Sequence, residues 1–169
     1  MLKWDYLRNL ILIIILILLN NMWNLVWVLI LIFTFLFMEF VAWFSHKYIM
    51  HGFLWSWHKD HHKKEHESWF EKNDLFFLVY AIPSILFVVL WGEFSFWPGL
   101  PIAIGIFCYG FTYFIVHDIF IHRRFKIFRN INNKYAKGIR RAHKMHHKNI
   151  NKEDGVCFGM LFVPKKYFQ

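Results

Sequence analysis

Apolar residues in this chain come in long unbroken runs, and the runs alternate with short basic windows. The first run, "LILIIILILL" at residues 10–19, is too short to cross a bilayer comfortably and counts as a weak span. After Asn20 and Asn21, Met22 to about Phe44 is long enough for the roughly 20 residues that a bilayer core requires. Leu75 to about Trp91, interrupted by Pro83, and Pro98 to about Ile121 are further spans. The pattern predicts an all-α integral membrane helical bundle with three to four transmembrane helices.

Composition agrees, with 57% hydrophobic and 22% aromatic residues in 169 and only four prolines and eight glycines. Disorder is thereby excluded, and the length suits one domain, residues 1–169. Within it, residues 1–21 read as an N-terminal extension or the weak first span. Residues 123–169 read as a basic cytoplasmic part. Cleavage as a signal peptide is disfavoured, because the first run ends in Asn-Asn-Met-Trp without a small-residue site. Met22 is a second possible start. Cys108 and Cys157 lie far apart in unlike surroundings, which predicts reduced thiols.

The net charge is +9. Lysine and arginine are absent from Asn9 to His46 and from Asn73 to His122, whereas five fall between Lys47 and Lys72 and thirteen between Arg123 and Lys166. The positive-inside rule puts both basic windows in the cytoplasm and the acidic "GEFSFW" turn outside. With four spans the N-terminus bearing Lys3 and Arg8 would be inside too. The expected location is the cytoplasmic membrane, multi-pass, contacting anionic lipid. Tryptophans near span ends, among them Trp23, Trp43, Trp91 and Trp97, fit interfacial belts.

All eleven histidines sit in two windows, each starting where an apolar run meets a basic one. Each window holds H-x4-H and then H-x2-H-H. In the first these are His46 and His51, then His58, His61 and His62; in the second, His117 and His122, then His143, His146 and His147. His66 is left over. On a helix, positions i, i+3 and i+4 share a face, so each H-x2-H-H box is expected to aim three imidazoles at a common point. H-x4-H turns about 500°, leaving its rings about 140° apart on a regular α-helix. A helix end, such as Gly52 offers, or a π-bulge is therefore needed. Neutral imidazole suits iron, zinc, copper or nickel, and this many rings imply two ions. The bundle should thus carry a histidine-rich helical cap on its cytoplasmic side.

The ordered boxes, together with "MEFVAWFSHKYIMHGFLWSWHKDHH", "FEKNDLF" and "KEDGVCFGMLFVP", closely resemble the bacterial β-carotene hydroxylases of the fatty acid hydroxylase and sterol desaturase superfamily. The resemblance runs from about Met22 to Pro164. It implies two non-haem iron ions, O2 as co-substrate, and hydroxylation at C3 of β-ionone rings, taking β-carotene through β-cryptoxanthin to zeaxanthin. Ferredoxin and its reductase are the electron donors it implies, and a carotenoid the substrate. The chain itself carries no Gly-rich dinucleotide motif and no cysteine set for an iron–sulfur cluster.

With no Glu-x-x-His motif present, histidines must carry the coordination. The metal-ligand candidates are His46, His51, His58, His61, His62, His117, His122, His143, His146 and His147. Asp118 and Asp60 are candidates for orienting a ligand ring. Glu39, the one glutamate in mid-span and seven residues before His46, is expected to point toward the site. Rival readings keep the metals but change the substrate to an acyl chain or sterol, or change the reaction to ketolation. A metal transporter or buffer is a remoter alternative, and nucleic-acid binding is disfavoured.

Overall fold

The computed structural model describes residues 2–63, 67–128 and 130–169. Those residues are predominantly helical and contain no strand. Helix α1, Leu2–Phe44, contains neither glycine nor proline, so nothing in its backbone chemistry breaks it. This corrects the division at Asn20–Asn21: the two apolar runs are one helix of 43 residues, roughly 64 Å long. Trp23 packs edge-on against Trp97 in the turn between the next two membrane helices, at 5.2 Å. Arg8 therefore lies beyond that turn, at the end of α1 remote from His46. The four-span count, with both ends on one side, is overturned by that continuity.

At its other end α1 widens into a π-helical turn, Ser45–Phe53. Gly52, at φ −101° and ψ −121°, breaks the helical path there. The chain then enters α2, Trp55–His62. A 3₁₀ turn, Lys72–Phe77, leads into α3, Leu78–Phe94, which continues through Pro83 and ends at Ser95 in the left-handed conformation. Helix α4, Gly99–Phe114, returns and passes into a second π-helical turn, Ile115–Ile121. Helix α5, Lys134–Lys148, starts at Asn133, whose side chain accepts the Ala136 N–H at 2.8 Å. The remaining tail crosses back under the bundle and ends in a 3₁₀ turn, Lys165–Phe168.

Three helices among the described residues are long and apolar enough to cross a membrane, within Ile11–Phe53, Lys72–Phe94 and Gly99–Ile121. Helix α4 packs against both α1 and α3. Their shared core is Met38, Ala42, Ile106 and Tyr109. Outward-facing positions are apolar as well: Phe33, Ile85 and Phe107 are each more than 60% exposed. Such a surface is stable only against lipid, since hydrocarbon removes the cost that water would impose. This is a membrane protein, and both histidine windows lie at one end of its bundle.

Candidate metal centre

The H-x4-H pairs fall on the two π-helical turns, with His122 capping the second. In a π-helix the N–H of residue i+5 bonds the carbonyl of residue i, so histidines five apart stack on successive turns. The His122 N–H accordingly donates to the His117 carbonyl at 2.9 Å. His46 and His51 fall within the first turn in the same spacing. The local widening thus reduces the angular offset that an α-helix would impose.

The side chains converge in two groups, each with its ring nitrogens within 4.8 Å of one another. One holds His46, His51, His58, His62 and His146; the other holds His61, His117, His122 and His143. Each H-x4-H pair stays within one group. The H-x2-H-H boxes do not: His58 and His62 face the first group while His61 faces the second, and His143 and His146 likewise separate. The expectation that a box aims three rings at one point is therefore corrected. Positions i+3 and i+4 diverge by about 100° around the helix, enough to send adjacent histidines to different centres.

His147 lies between the groups, with its ring 4.5 Å from His143, 4.7 Å from His61 and 4.7 Å from His62. Its Nε2 is buried and has no hydrogen-bond partner. In the repeated box order His147 is the counterpart of His62, so it is the natural fifth member of the second group. His66 lies outside the described residues.

The protonation pattern follows from the outer partners. His46 donates from Nδ1 to the carbonyl of Phe158 (3.1 Å), His51 to Lys152 (3.0 Å), His62 to Asn149 (3.1 Å) and His146 to Val156 (2.8 Å). His58 donates to Asn73 Oδ1 at 2.7 Å, His61 to Glu71 Oε2 at 2.8 Å and His117 to Asp118 Oδ2 at 3.3 Å. Every acceptor is an oxygen without a proton to give, so each Nδ1 carries the hydrogen and each Nε2 is a bare lone pair. Those lone pairs face one another: His46 and His62 each lie 3.1 Å from His58, His51 lies 3.3 Å from His146, and His61 lies 3.1 Å from His117. Without protons between them these contacts repel, and a cation at each centre would turn them into coordination. The donor set therefore fits two metal ions.

Burial keeps these rings neutral. It lowers the pKa of His58, His61 and His143 well below the usual range, and neighbouring imidazoles push the same way. Burial first, then His62, brings His147 to about 3 and His146 to about 2, while burial and His51 bring His62 to about 4. A ring that resists protonation keeps its lone pair for a metal.

Arg124 ties together the carboxylates behind the second group, at 3.1 Å from Glu71, 2.7 Å from Asp74 and 3.2 Å from Asp118. Asp60 instead accepts the Lys72 N–H at 2.8 Å and anchors the turn that carries Asn73. Glu39, 7% exposed, points toward the C-terminal tail. Its Oε1 accepts the backbone N–H groups of Met160, Leu161 and Phe162 at 2.9, 2.9 and 3.0 Å, and its Oε2 accepts the Tyr109 hydroxyl at 2.5 Å. A Cβ on Gly159 would come within 2.6 Å of the Phe162 carbonyl oxygen and 3.3 Å of Glu39 Oε1. The close approach of tail to carboxylate depends on that missing side chain.

Reasoning from side-chain type did not single out Glu71, Asn73, Asp74, Arg124 or the tail carbonyls. The signal was nonetheless in the sequence, because "FEKNDLF" contains Glu71, Asn73 and Asp74, and "KEDGVCFGMLFVP" contains Lys152, Val156 and Phe158.

Paired imidazole groups at one end of a membrane bundle fit a metal-dependent membrane enzyme. The chain belongs to the fatty acid hydroxylase family, which it matches over residues 31–164. It is 45% identical over 132 residues to a β-carotene hydroxylase of Pantoea ananas, covering 78% of this chain and 74% of that protein. A β-carotene hydroxylase of Paracoccus sp. strain N81106 is 43% identical over 136 residues, with 78% and 80% covered. The chloroplastic β-carotene 3-hydroxylase 2 of Arabidopsis thaliana is 36% identical over 132 residues, 76% of this chain and 43% of the plant protein. No solved structure matches the chain. These relatives make it a hydroxylase.

Proposed function

We propose that this protein is a β-carotene 3-hydroxylase, acting on both end rings to form β-cryptoxanthin and then zeaxanthin. The observation that carries the reading is the set of Nε2 lone pairs converging on two centres, in a chain 45% identical to a β-carotene hydroxylase. Iron held there would supply the oxygen-activating redox chemistry that an unactivated C–H bond demands. The overall reaction balances as R–H, O2, two electrons and two protons giving R–OH and water.

His46, His51, His58, His62 and His146 would hold one ion; His61, His117, His122, His143 and His147 would hold the other. The residues behind them fix the rings. The carboxylates of Glu71 and Asp118 strengthen His61 and His117 as donors, while the carbonyl acceptors of the tail orient most rings of the first group. Glu39 holds that tail in place. Burial of His58 and His146, at 1% and 0% exposure, excludes water from the centre.

The chain works as one unit in the cytoplasmic membrane, with the histidine end inside, as the basic windows favour. Electrons come from an acidic iron–sulfur donor such as ferredoxin with its reductase, attracted by the net charge of +9. Expression in cells that accumulate β-carotene tests the reading. Zeaxanthin and β-cryptoxanthin are expected in the pigment extract. Unchanged β-carotene, despite membrane-inserted and iron-loaded protein, would overturn it.

A further inference from the structure

A cavity of about 290 Å³ opens beside the second histidine group. His117 lines it, together with Met50, Phe77, Tyr80, Tyr113 and Phe114. Asn73, the acceptor for His58, also borders it, so an occupant lies against the supports of both groups. Its charged lining is already committed, since Arg124 pairs with Asp74 at 2.7 Å and with Asp118 at 3.2 Å. What remains for an incoming molecule is mainly aromatic and aliphatic wall. The volume sits at the lower end of the roughly 300–1,000 Å³ of sites that enclose a drug-sized ligand. One substituted hydrocarbon ring fits, whereas a long polyene does not.

The rest of such a molecule needs another place, and a second hollow provides it. A groove of about 360 Å³ lies between α3 and α4, lined by Ala81, Ser84, Phe107 and Phe111. Phe77, Tyr80 and Gly110 line both the cavity and the groove. The junction is tight at Gly110, where a Cβ would come within 2.8 Å of Tyr80 Cβ and 3.0 Å of Tyr80 Cγ. Both helices lie in the membrane-crossing part of the chain, so the groove opens toward lipid.

We propose that this cavity receives the apolar end ring of a polyene, and that the ring enters sideways from the bilayer, between α3 and α4, past Tyr80 and Gly110. The polyene stays in the groove and the adjoining lipid while its ring lies against His117. The inference rests on the reading of the protein as a hydroxylase of β-carotene. It adds that Gly110 and Ala81 decide which molecules reach the site.

The test uses full-length, iron-loaded protein in lipid nanodiscs with β-carotene and a reducing system, recording bound β-carotene, hydroxylated product and iron per chain. Ala81→Trp fills the groove from a half-buried position, and Gly110→Ala sets a methyl group against the root of the Tyr80 side chain at the junction. Both should bind and hydroxylate β-carotene about tenfold less well, or worse, with iron content unchanged. Ile82→Trp, on the neighbouring 59% exposed position outside the groove, should match the wild type. If Ala81→Trp fails to retain iron, Gly110→Ala alone decides. Wild-type binding and turnover in an iron-loaded groove variant overturns lateral entry and leaves the assigned reaction standing. A wild-type protein that leaves β-carotene untouched removes the assigned reaction and this inference with it.

Discussion

The Glu39 carboxylate, inside the membrane-crossing part of α1, accepts the backbone N–H of Met160 at 2.9 Å and so joins a transmembrane helix to the tail that crosses beneath it. The same tail supplies the Val156 and Phe158 carbonyls to His146 and His46. An acidic residue deep in the bundle thus acts on the candidate metal centre through backbone it holds.

Glu39→Gln should therefore loosen the tail. The amide keeps the shape, but it removes the charge that three N–H groups share and turns one acceptor into a donor. Hydrogen bonds to a charged group contribute about 1.5–3 kcal/mol each, so a loss of about 3 kcal/mol or more is expected. Amide hydrogen exchange at Met160 to Phe162 should accelerate, and iron retention should fall. Unchanged exchange would show that the tail docks without Glu39.

Asn73→Ala removes the acceptor that His58 Nδ1 has among the described residues and should weaken iron binding about 10–100-fold. Asn73→Asp keeps an acceptor oxygen and should restore most of it. Competition against a chelator measures both. Equal retention in the alanine variant and the wild type would remove Asn73 from the support of the centre.

His147→Ala should empty one centre more readily than the other. It removes the counterpart of His62 and leaves four rings in the second group and five in the first. Chelator titration of this variant should release its ions in two separated steps. Release in a single step would place His147 outside the ligand set.

Acid should destabilise the metal-free protein. Burial depresses His62 to about 4 and His147 to about 3, whereas an unfolded histidine titrates near about 6.5. Between those values the unfolded chain binds more protons, so stability rises with pH across the window. It should be complete above about pH 7 and fall as pH drops through about 6 toward about 4. Thermal melts of the metal-free protein across that range check this, and a melting temperature constant down to about pH 4 would contradict it.

The spans and the histidine boxes were legible in the sequence because both are written in side-chain type at fixed spacing. H-x4-H called for either a helix end or a π-bulge, since no regular α-helix brings His117 and His122 to one face, and the structure takes the π-helical form. The splitting of His61 from His58 and His62 was not legible, because spacing defines a face only to within about 100° and the position of the partner helix decides the rest. Nor were the acceptors for His46, His51, His62 and His146, which are backbone carbonyls and carry no residue signature. Glu39 was legible as an anomaly in an apolar run, although its partners, the N–H groups of the tail, were equally anonymous. Asn20–Asn21 read as a boundary only because polar residues usually mark one. With no glycine or proline beside them the helix simply continues.

The most direct test of the paired centre is the iron content of the purified, catalytically active protein, measured by elemental analysis against protein concentration. Two irons per chain are expected, one for each imidazole group. Full activity with a single iron, or with none, would contradict it.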